Sequence, residues 1–275
     1  MAVIIDARGL NKAFGAVTAA LDVNAAIERD SVVGMIGSNG AGKTTFVNMV
    51  TGYLKPDSGA IHFEGRDITQ FAPRDITRLG ICRSFQIPQL YNSLSVQDNI
   101  MVALGIVLRN AGLGGYFSSA DAIVPGHGVT TAEATTRLLE RFELTRYRHQ
   151  QAQVLPGGVR KLLDIALAMA VKPKVLLLDE PTSGVAAEQK FGIMDLIMTA
   201  VRAEGATVLF VEHDMDVIAR YAERVLAFYD GRIIADAAPD VALADAEVRK
   251  YVVGHREKPP GGGGATHAIG ASGHA

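Results

Sequence analysis

The residue types and spacing best suited to chemistry occur in residues 37–44. This stretch is a glycine-rich loop that ends in lysine and threonine, and it reads Gly37-Ser38-Asn39-Gly40-Ala41-Gly42-Lys43-Thr44. Such a loop turns successive backbone N–H groups toward phosphate oxygens. Lys43 would meet the β- and γ-phosphates as a point charge, and the Thr44 hydroxyl would bind Mg²⁺. The stretch therefore predicts a site for ATP and Mg²⁺.

The segments on either side of this loop fit the same interpretation. Residues 31–36 form an apolar run typical of a buried strand, and residues 43–50 follow a helical pattern. The N-terminus of that helix would direct its dipole at the bound anion. The alternative is a chance glycine turn between a strand and a helix. We predict nucleotide contact along the run Ser38, Asn39, Gly40, Ala41, Gly42, Lys43, Thr44 and Thr45.

A pair of carboxylates follows a second apolar run. Residues 175–178 are too few for a helix and predict a central strand of a parallel sheet, and Asp179 and Glu180 come directly after them. Asp179 would hold the Mg²⁺ shell, and Glu180 would polarise a water molecule aimed at the γ-phosphate. Acidic residues at a strand end are common, so this pair gains its meaning from the phosphate loop. Together the two motifs predict hydrolysis of the nucleotide.

The elements that must position these residues alternate between strand and helix. Two short strands are predicted at residues 3–7 and 21–28, and the alternation runs from residue 31 to about 236. This order predicts an α/β fold, a P-loop NTPase core whose mostly parallel sheet has flanking helices. Between residues 88 and 171 the period is helical, which predicts an inserted helical subdomain. Ser95 is the expected cap of its first helix.

These patterns divide the chain into an ATPase domain of residues 1–253 and a tail of residues 254–275. The core would comprise about residues 1–87 and 172–253, and the helical subdomain about residues 88–171. The tail is rich in glycine, alanine and histidine, a composition that predicts disorder. Its two histidines, His267 and His274, are too isolated to predict a metal site.

Composition excludes several classes of function. The net charge of −2 gives no basic surface for general nucleic-acid binding. The single cysteine, Cys82, rules out an internal disulfide, fits a reducing compartment and is expected to be a buried structural thiol. Asp6 and Arg8 interrupt the first apolar stretch, so no signal peptide is expected. Since no apolar run approaches the roughly 18 residues of a transmembrane helix, membrane roles would require partner chains.

Four further features, in this order along the chain, resemble the ATP-binding subunit of ABC transporters. They are Phe14 in an N-terminal strand region, Gln86 after Arg83-Ser84-Phe85, the glycine pair in Leu155-Pro156-Gly157-Gly158, and His213 in Glu212-His213-Asp214-Met215. The resemblance covers about residues 3–253. It is closest to the LivG-type subunit of branched-chain amino acid importers, which the chain also matches around Leu90-Tyr91 and residues 248–254.

The resemblance implies roles for these residues. Phe14 would stack on adenine, and Gln86 would contact Mg²⁺ and the attacking water at the hinge between core and helical subdomain. His213 would be the switch histidine that contacts the γ-phosphate, beside Glu180 as catalytic base. Gly157 and Gly158 would present backbone N–H groups to phosphate. A buried core phenylalanine and an ordinary strand-end glutamine are the alternative interpretations of Phe14 and Gln86.

The chain departs from the family pattern at four positions. Pro156 stands where the family usually has serine, a position that varies in LivG-like members, and Val159 stands where the family usually has glutamine. Leu167 replaces an arginine common on this helix, and Ala186 replaces a residue that is usually Asp or Asn. Proline is tolerated at a helix start, so the change at position 156 removes a hydroxyl donor without opposing the helix. In this family these surfaces face the opposite subunit. We therefore expect an asymmetric pair in which this chain's own ATP-holding residues are intact.

The expected function is that of an ATPase subunit of an importer for branched-chain or other hydrophobic amino acids. Its expected partners are a second ABC ATPase subunit in a hetero- or homodimer, permease subunits and, indirectly, a periplasmic or surface substrate-binding protein. These would hold it at the cytoplasmic face of the inner membrane. The alternatives are a urea or amide importer, a regulatory subunit that binds ATP with little turnover, and a soluble ABC ATPase of translation or DNA repair.

Overall fold

The computed structural model describes residues 2–113 and 120–254, which form two β-sheets with helices packed on them. The larger sheet has six strands in the order β10-β9-β3-β8-β7-β6. All its neighbours are parallel except β9 and β10. Its strands are β3 (Val32–Gly37), β6 (Ile81–Ser84), β7 (Val175–Asp179), β8 (Thr207–Val211), β9 (Arg224–Tyr229) and β10 (Arg232–Ala237).

The smaller sheet is antiparallel and has the order β2-β1-β4-β5. Its strands are β1 (Val3–Phe14), β2 (Val17–Glu28), β4 (Ser58–Phe63) and β5 (Arg66–Asp67). The predicted strands at residues 3–7 and 21–28 were too short. The β1–β2 pairing continues to the hairpin turn through several register shifts, and these irregularities break the apolar alternation that the sequence prediction used.

The described helices pack on both faces of the larger sheet, and three of them follow β6 and precede β7 in the chain. They are α1 (Lys43–Val50), α2 (Pro73–Leu79), α3 (Val96–Asn110), α4 (Thr131–Arg141), α5 (Gly157–Met169), α6 (Lys190–Glu204), α7 (Met215–Tyr221), α8 (Pro239–Ala244) and α9 (Ala246–Val248). The predicted bounds of α1 are confirmed. So is the cap of α3, because the Ser95 hydroxyl accepts the Asp98 N–H at 3.1 Å.

Helices α3, α4 and α5 are the inserted helical part of the P-loop NTPase fold. They follow β6 in the chain and precede β7, and α3 packs against both α4 and α5. The finer division into about residues 1–87, 88–171 and 172–253 stays a prediction. Within the described part of the chain, no helix has the length and apolar character needed to cross a bilayer. The predicted disordered tail lies outside the described residues from residue 255 onward.

The larger sheet separates two apolar cores. On β3, Val33 and Met35 pack toward α1 and the antiparallel sheet, while Val32 and Ile36 pack toward α5, α6 and α7. On β7, Leu177 and Leu178 divide in the same alternating way. Strands buried on both faces must be apolar throughout, which explains why these runs show no polar alternation. Polar side chains therefore collect at the strand ends.

Candidate functional site

The candidate site lies at the carboxyl-terminal edge of the larger sheet, where the loops after β3, β6, β7 and β8 meet. The parallel registers bring these strand ends level, because Ser84 pairs with Leu178 and Asp179 pairs with Val211. Residues that follow each strand by one or two positions are consequently neighbours. In open α/β sheets, ligands bind at this edge.

The phosphate loop joins β3 directly to α1, as the sequence predicted. Gly42 caps α1 with a φ of 108°, a conformation that side-chain-bearing residues rarely adopt. A Cβ at this position would lie 2.7 Å from the Ala19 carbonyl oxygen. Glycine is therefore required here by both backbone conformation and space, which fixes the path of the loop around the N-terminus of α1.

Lys43 is buried at the base of this loop, with 6% of its surface exposed. Its ammonium donates to the carbonyl oxygens of Gly37 at 2.6 Å and Ser38 at 3.0 Å. Burial lowers the pKa of Lys43, whereas the carboxylates of Glu180 and Asp179 oppose this change. The desolvated ammonium can bind an anionic ligand, and the two neighbouring carboxylates can bind the cation that accompanies it.

Glu180 connects the residues that the sequence placed far apart. Its Oε2 accepts the Gln86 side-chain amide at 2.7 Å, and its Oε1 lies 3.0 Å from Nε2 of His213. Glu180 has a φ of 47°, and its backbone N–H donates to the Val211 carbonyl at 3.0 Å. Non-glycine residues in this region are strained and commonly occur at functional sites. The backbone thus holds the carboxylate between Gln86 and His213.

Asp179 is fixed by a buried arginine. The Arg83 guanidinium lies 2.6 Å from Oδ2 of Asp179, and both side chains are largely shielded from solvent. The same guanidinium donates to the Asn48 side-chain oxygen at 2.6 Å. Arg83 therefore links β6, α1 and β7 behind the phosphate loop. It holds one oxygen of the Asp179 carboxylate at the edge of the site.

One cavity contains most of the predicted site residues. It is lined by Asn39, Gly40, Ala41, Gly42, Lys43, Thr44, Thr45, Gln86, Asp179, Glu180, Val211 and His213. Ser38, Phe14, Gly157 and Gly158 are not among the lining residues. Gln86 and His213, which the sequence analysis assigned to the site only by resemblance, thus share a cavity with Glu180 and the phosphate loop.

Phe14 lies at the end of β1 with 52% of its surface exposed. This exposure contradicts the alternative interpretation as a buried core residue. The ammonium of Lys12 lies 5.7 Å from the ring centroid. An exposed aromatic face remains able to stack on a flat ligand, and adenine stacking stays a prediction.

The segment around Pro156 lies on the surface, away from the cavity. Pro156 precedes α5 and provides no side-chain cap, and Pro156, Gly157 and Ala186 are exposed. A Cβ on Gly157 would approach the Gly184 carbonyl oxygen to 3.3 Å, so the two loops lie side by side. The sequence departures at positions 156 and 186 therefore belong to one continuous surface.

Two buried charged residues beside the site had no role in the sequence prediction. Glu212 accepts both the N–H and the hydroxyl of Thr182, at 2.9 and 2.7 Å. Lys161 donates to the carbonyl oxygens of Phe85 at 2.7 Å and Asp179 at 2.9 Å. The available signal was a charge within an apolar segment, which is rare in a core unless the charge is paired.

Comparison with known families decides the class of protein. The family model described as "ABC transporter" matches residues 21–183, more than half of the chain. The chain belongs to the ABC transporter family. This ABC protein is accordingly an ATPase subunit that binds and hydrolyses ATP, and the predicted family resemblance is confirmed.

Relatives that match this ABC subunit over nearly their whole length support the same family assignment. It is 33% identical to the probable branched-chain amino acid transport ATP-binding protein LivG of Archaeoglobus fulgidus, over 92% of this chain and 96% of the relative. It is 32% identical to the high-affinity branched-chain amino acid transport ATP-binding protein BraF of Pseudomonas aeruginosa, over 91% and 98%. A solved ATP-binding cassette of an ABC transporter superposes with a TM-score of 0.76 at 29% identity, covering 90% of this chain and 98% of that one. The predicted P-loop fold is thereby confirmed.

Proposed function

We propose that this ABC subunit drives import of branched-chain or other hydrophobic amino acids by hydrolysing MgATP with Glu180 as the base. The main support is the hydrogen-bonded group of Gln86, Glu180 and His213 on the wall of the cavity that also contains Lys43. A base must reach the attacking water, and a carboxylate held on both sides has few alternative orientations.

The donor set of the cavity fits Mg²⁺. Thr44 supplies an exposed hydroxyl, Asp179 a carboxylate and Gln86 an amide oxygen, and all three line the cavity. Hard oxygen donors suit Mg²⁺, which is usually held by one or two protein carboxylates together with ligand phosphates. These residues would hold the ion, which when bound neutralises charge on the phosphate oxygens.

The other residues of the proposed site would bind and orient the nucleotide. Backbone N–H groups of residues 38–45 and the Lys43 ammonium would bind the phosphates, and Phe14 would stack on the adenine. Glu180 would accept the proton of the attacking water, while His213 would contact the γ-phosphate. Gly157 and Gly158 would act on the nucleotide held by the opposite subunit, consistent with their position outside this chain's own cavity.

The proposed cargo and assembly rest on the relatives. Branched-chain amino acid transport is stated for the proteins that this chain matches over nearly their full length. We propose permease subunits and a second ATPase subunit as direct partners, with a periplasmic or surface binding protein as an indirect one. The chain would then lie at the cytoplasmic face of the inner membrane.

The permease would dock in a groove between α3, β6 and α5. This groove has a volume of about 310 Å³, and its lining includes Phe85 and Gln89, which lie on either side of Gln86 in the chain. Val102, Ala103 and Ile106 of α3 line its apolar wall, and Tyr53 and Tyr91 lie on its rim with more than half of their surface exposed. An amphipathic helical segment of a permease loop fits a groove of this chemistry.

Two alternative functions remain in the proposal. A urea or amide importer would use the same ATPase site, because the cargo does not contact this chain. A regulatory subunit with little turnover is favoured by Pro156 and Val159, whereas the preserved Glu180 and His213 oppose it.

Reconstitution tests these alternatives together. The subunit is assembled with its permease and partner ATPase subunits in liposomes, and ATP hydrolysis and uptake are measured with the binding protein loaded with leucine, urea or acetamide. We expect leucine to stimulate both activities. Stimulation by urea or acetamide alone would show that the cargo is an amide and not an amino acid. ATP binding without turnover would support the regulatory alternative.

A substitution in the docking groove tests whether the permease binds there. Ile106→Glu places a charge in the groove and should prevent co-purification with the permease while leaving MgATP affinity unchanged. Val241→Glu on α8, at an exposed apolar residue that does not line the groove, serves as the control and should assemble normally. Normal assembly of Ile106→Glu would exclude this groove as the docking site.

A further inference from the structure

Helix α5 contacts the catalytic edge through two buried charges spaced one turn apart. Lys161 and Asp164 are 2% and 6% exposed, on a helix whose other buried residues are apolar. Isolated charges are costly to bury, so their bonding partners indicate why they are there. All of those partners lie on the ends of β6 and β7 or in the loop after β6.

Lys161 donates to the two peptide groups that precede Gln86 and Glu180. Its ammonium lies 2.7 Å from the Phe85 carbonyl oxygen and 2.9 Å from the Asp179 carbonyl oxygen. Each carbonyl belongs to the peptide plane that carries the next residue's N–H. One ammonium thereby restrains the backbone orientation of both Gln86 and Glu180, whose side chains meet at 2.7 Å.

Asp164 holds the same loop from the other side. Its Oδ2 accepts the Ser84 hydroxyl at 2.6 Å, and its Oδ1 accepts the Gln89 backbone N–H at 3.0 Å. Gln86 therefore lies between two points at which its loop is bonded to α5. With a φ of 47°, Glu180 also requires such support, because a strained backbone persists only where its surroundings hold it.

We propose that Lys161 is a positioning residue that couples α5 to the alignment of Gln86 and Glu180. Helix α5 begins at Gly157, in the exposed segment that the proposed function assigns to the ATP of the opposite subunit. Movement of α5 on engaging that nucleotide would be passed by the Lys161 ammonium to the two peptide planes. The inference rests on the proposed function for the origin of that movement, but the restraint itself belongs to this chain.

Lys161→Met tests the restraint because it keeps a long side chain and removes the donor. In the assembled transporter we expect kcat for ATP hydrolysis to fall about 10- to 100-fold, the scale set by small misplacements of catalytic groups. KM for MgATP and equilibrium MgATP affinity should stay within about threefold, because Lys161 does not line the cavity. Lys161→Arg keeps charged donors and should recover most of the lost kcat.

The control variant lies on the same helix. Arg160 donates to the Ala152 carbonyl oxygen at 2.5 Å and to the Asn92 side chain at 2.9 Å, both within the helical part. Arg160→Met should leave kcat within about twofold of the parental value, because these bonds do not reach the catalytic edge. If Lys161→Met does not fold, Lys161→Gln removes the charge and leaves a neutral donor on a shorter side chain, and its kcat is compared with that of Arg160→Met in the same way.

Hydrogen exchange on the isolated chain provides a readout that does not depend on turnover. Lys161→Met should raise exchange in peptides covering residues 84–90 and 179–183, whereas Arg160→Met should not. Unchanged exchange in both segments, or a kcat within twofold of the parental chain, would overturn the proposal. A proportional loss of kcat and MgATP affinity would indicate a merely structural role. A parental complex that binds ATP without turnover would instead count against the proposed function, and exchange alone would then decide the role of Lys161.

Discussion

The side-chain amide of Gln86 donates to Oε2 of Glu180 at 2.7 Å, although the two residues are 94 positions apart in the chain. Gln86 belongs to the loop that leads from β6 into the helical part, and Glu180 follows β7 in the core. This bond therefore connects the proposed catalytic base to the segment through which the helical part can move. Changes at either end should affect chemistry more than nucleotide binding.

Lys43→Ala should weaken MgATP binding while leaving the fold intact. The substitution removes the ammonium that would meet the phosphates, and charged hydrogen bonds of this kind contribute about 1.5–3 kcal/mol, or about 10- to 150-fold in Kd. Equilibrium titration with MgATP measures the loss. Lys174→Ala, which removes an exposed ion pair with Glu64, should bind normally. Unchanged affinity in Lys43→Ala would refute the assignment of the phosphate site.

Glu180→Gln should preserve MgATP binding and reduce hydrolysis by about 10²- to 10⁴-fold, the usual contribution of a general base. The amide occupies the same space and can still hydrogen bond to Gln86 and His213, but it cannot accept the proton. We also expect a longer-lived closed dimer, measurable by size-exclusion chromatography in ATP. Glu140→Gln, at an exposed carboxylate on α4, is the matched control. Near-parental turnover of Glu180→Gln in the assembled transporter would exclude this residue as the base.

The isolated chain should have very weak ATPase activity because Pro156 provides no hydroxyl to the opposite nucleotide. A lost bond of about 1.5–3 kcal/mol corresponds to about a 10- to 150-fold deficit if it acts wholly in the transition state. The double substitution Pro156→Ser with Val159→Gln should therefore raise the activity of the isolated chain. Pro156 is the exposed N-cap residue of α5, where serine is favoured, and Val159 is half-buried in the first turn, so the fold should tolerate both changes. Brisk hydrolysis by the parental chain alone would contradict this asymmetry.

In a complex with a different ATPase subunit, the two composite sites should be unequal. This chain's Lys43 and Glu180 would meet a complete signature from the partner, whereas the partner's catalytic residues would meet Pro156. Glu180→Gln in this chain should therefore reduce turnover far more than the corresponding change in the partner. Steady-state ATPase rates of the two single-variant complexes make the comparison, and equal losses would refute the unequal-site model.

Cys82 should report unfolding through its thiol chemistry. Burial raises the pKa of Cys82 from 9.0 to about 12, which lowers the thiolate fraction about 1000-fold at pH 8. A raised pKa means that the thiol stays protonated to a higher pH in the folded state than in the unfolded state. The contribution of Cys82 to the free energy of unfolding is therefore constant below pH 9 and declines from about pH 9 to 12. Labelling with a disulfide reagent at pH 8 should be slow in buffer and fast in urea. Cys82→Ser should not label, and rapid labelling of the folded chain would show that the thiol is accessible.

Local features of this protein were determined by its sequence. Residues 37–44 and the adjoining strand and helix specify the phosphate loop, because turn glycines, the helix start and Lys43 act within a few positions of one another. Ser95 likewise predicted a helix start, since its hydroxyl and the Asp98 N–H belong to one turn. The apolar runs of β3 and β7 indicated a buried parallel sheet because both of their faces are covered.

Only the tertiary structure decided which distant residues meet. The Arg83–Asp179 pair and the Lys161 contacts to residues 85 and 179 depend on the order β3-β8-β7-β6, which no local pattern encodes. The lengths of β1 and β2 were missed for a related reason, since their pairing tolerates irregularities that interrupt the apolar alternation. Strand order and register are set by packing the whole chain, and the polar network at the sheet edge follows from them.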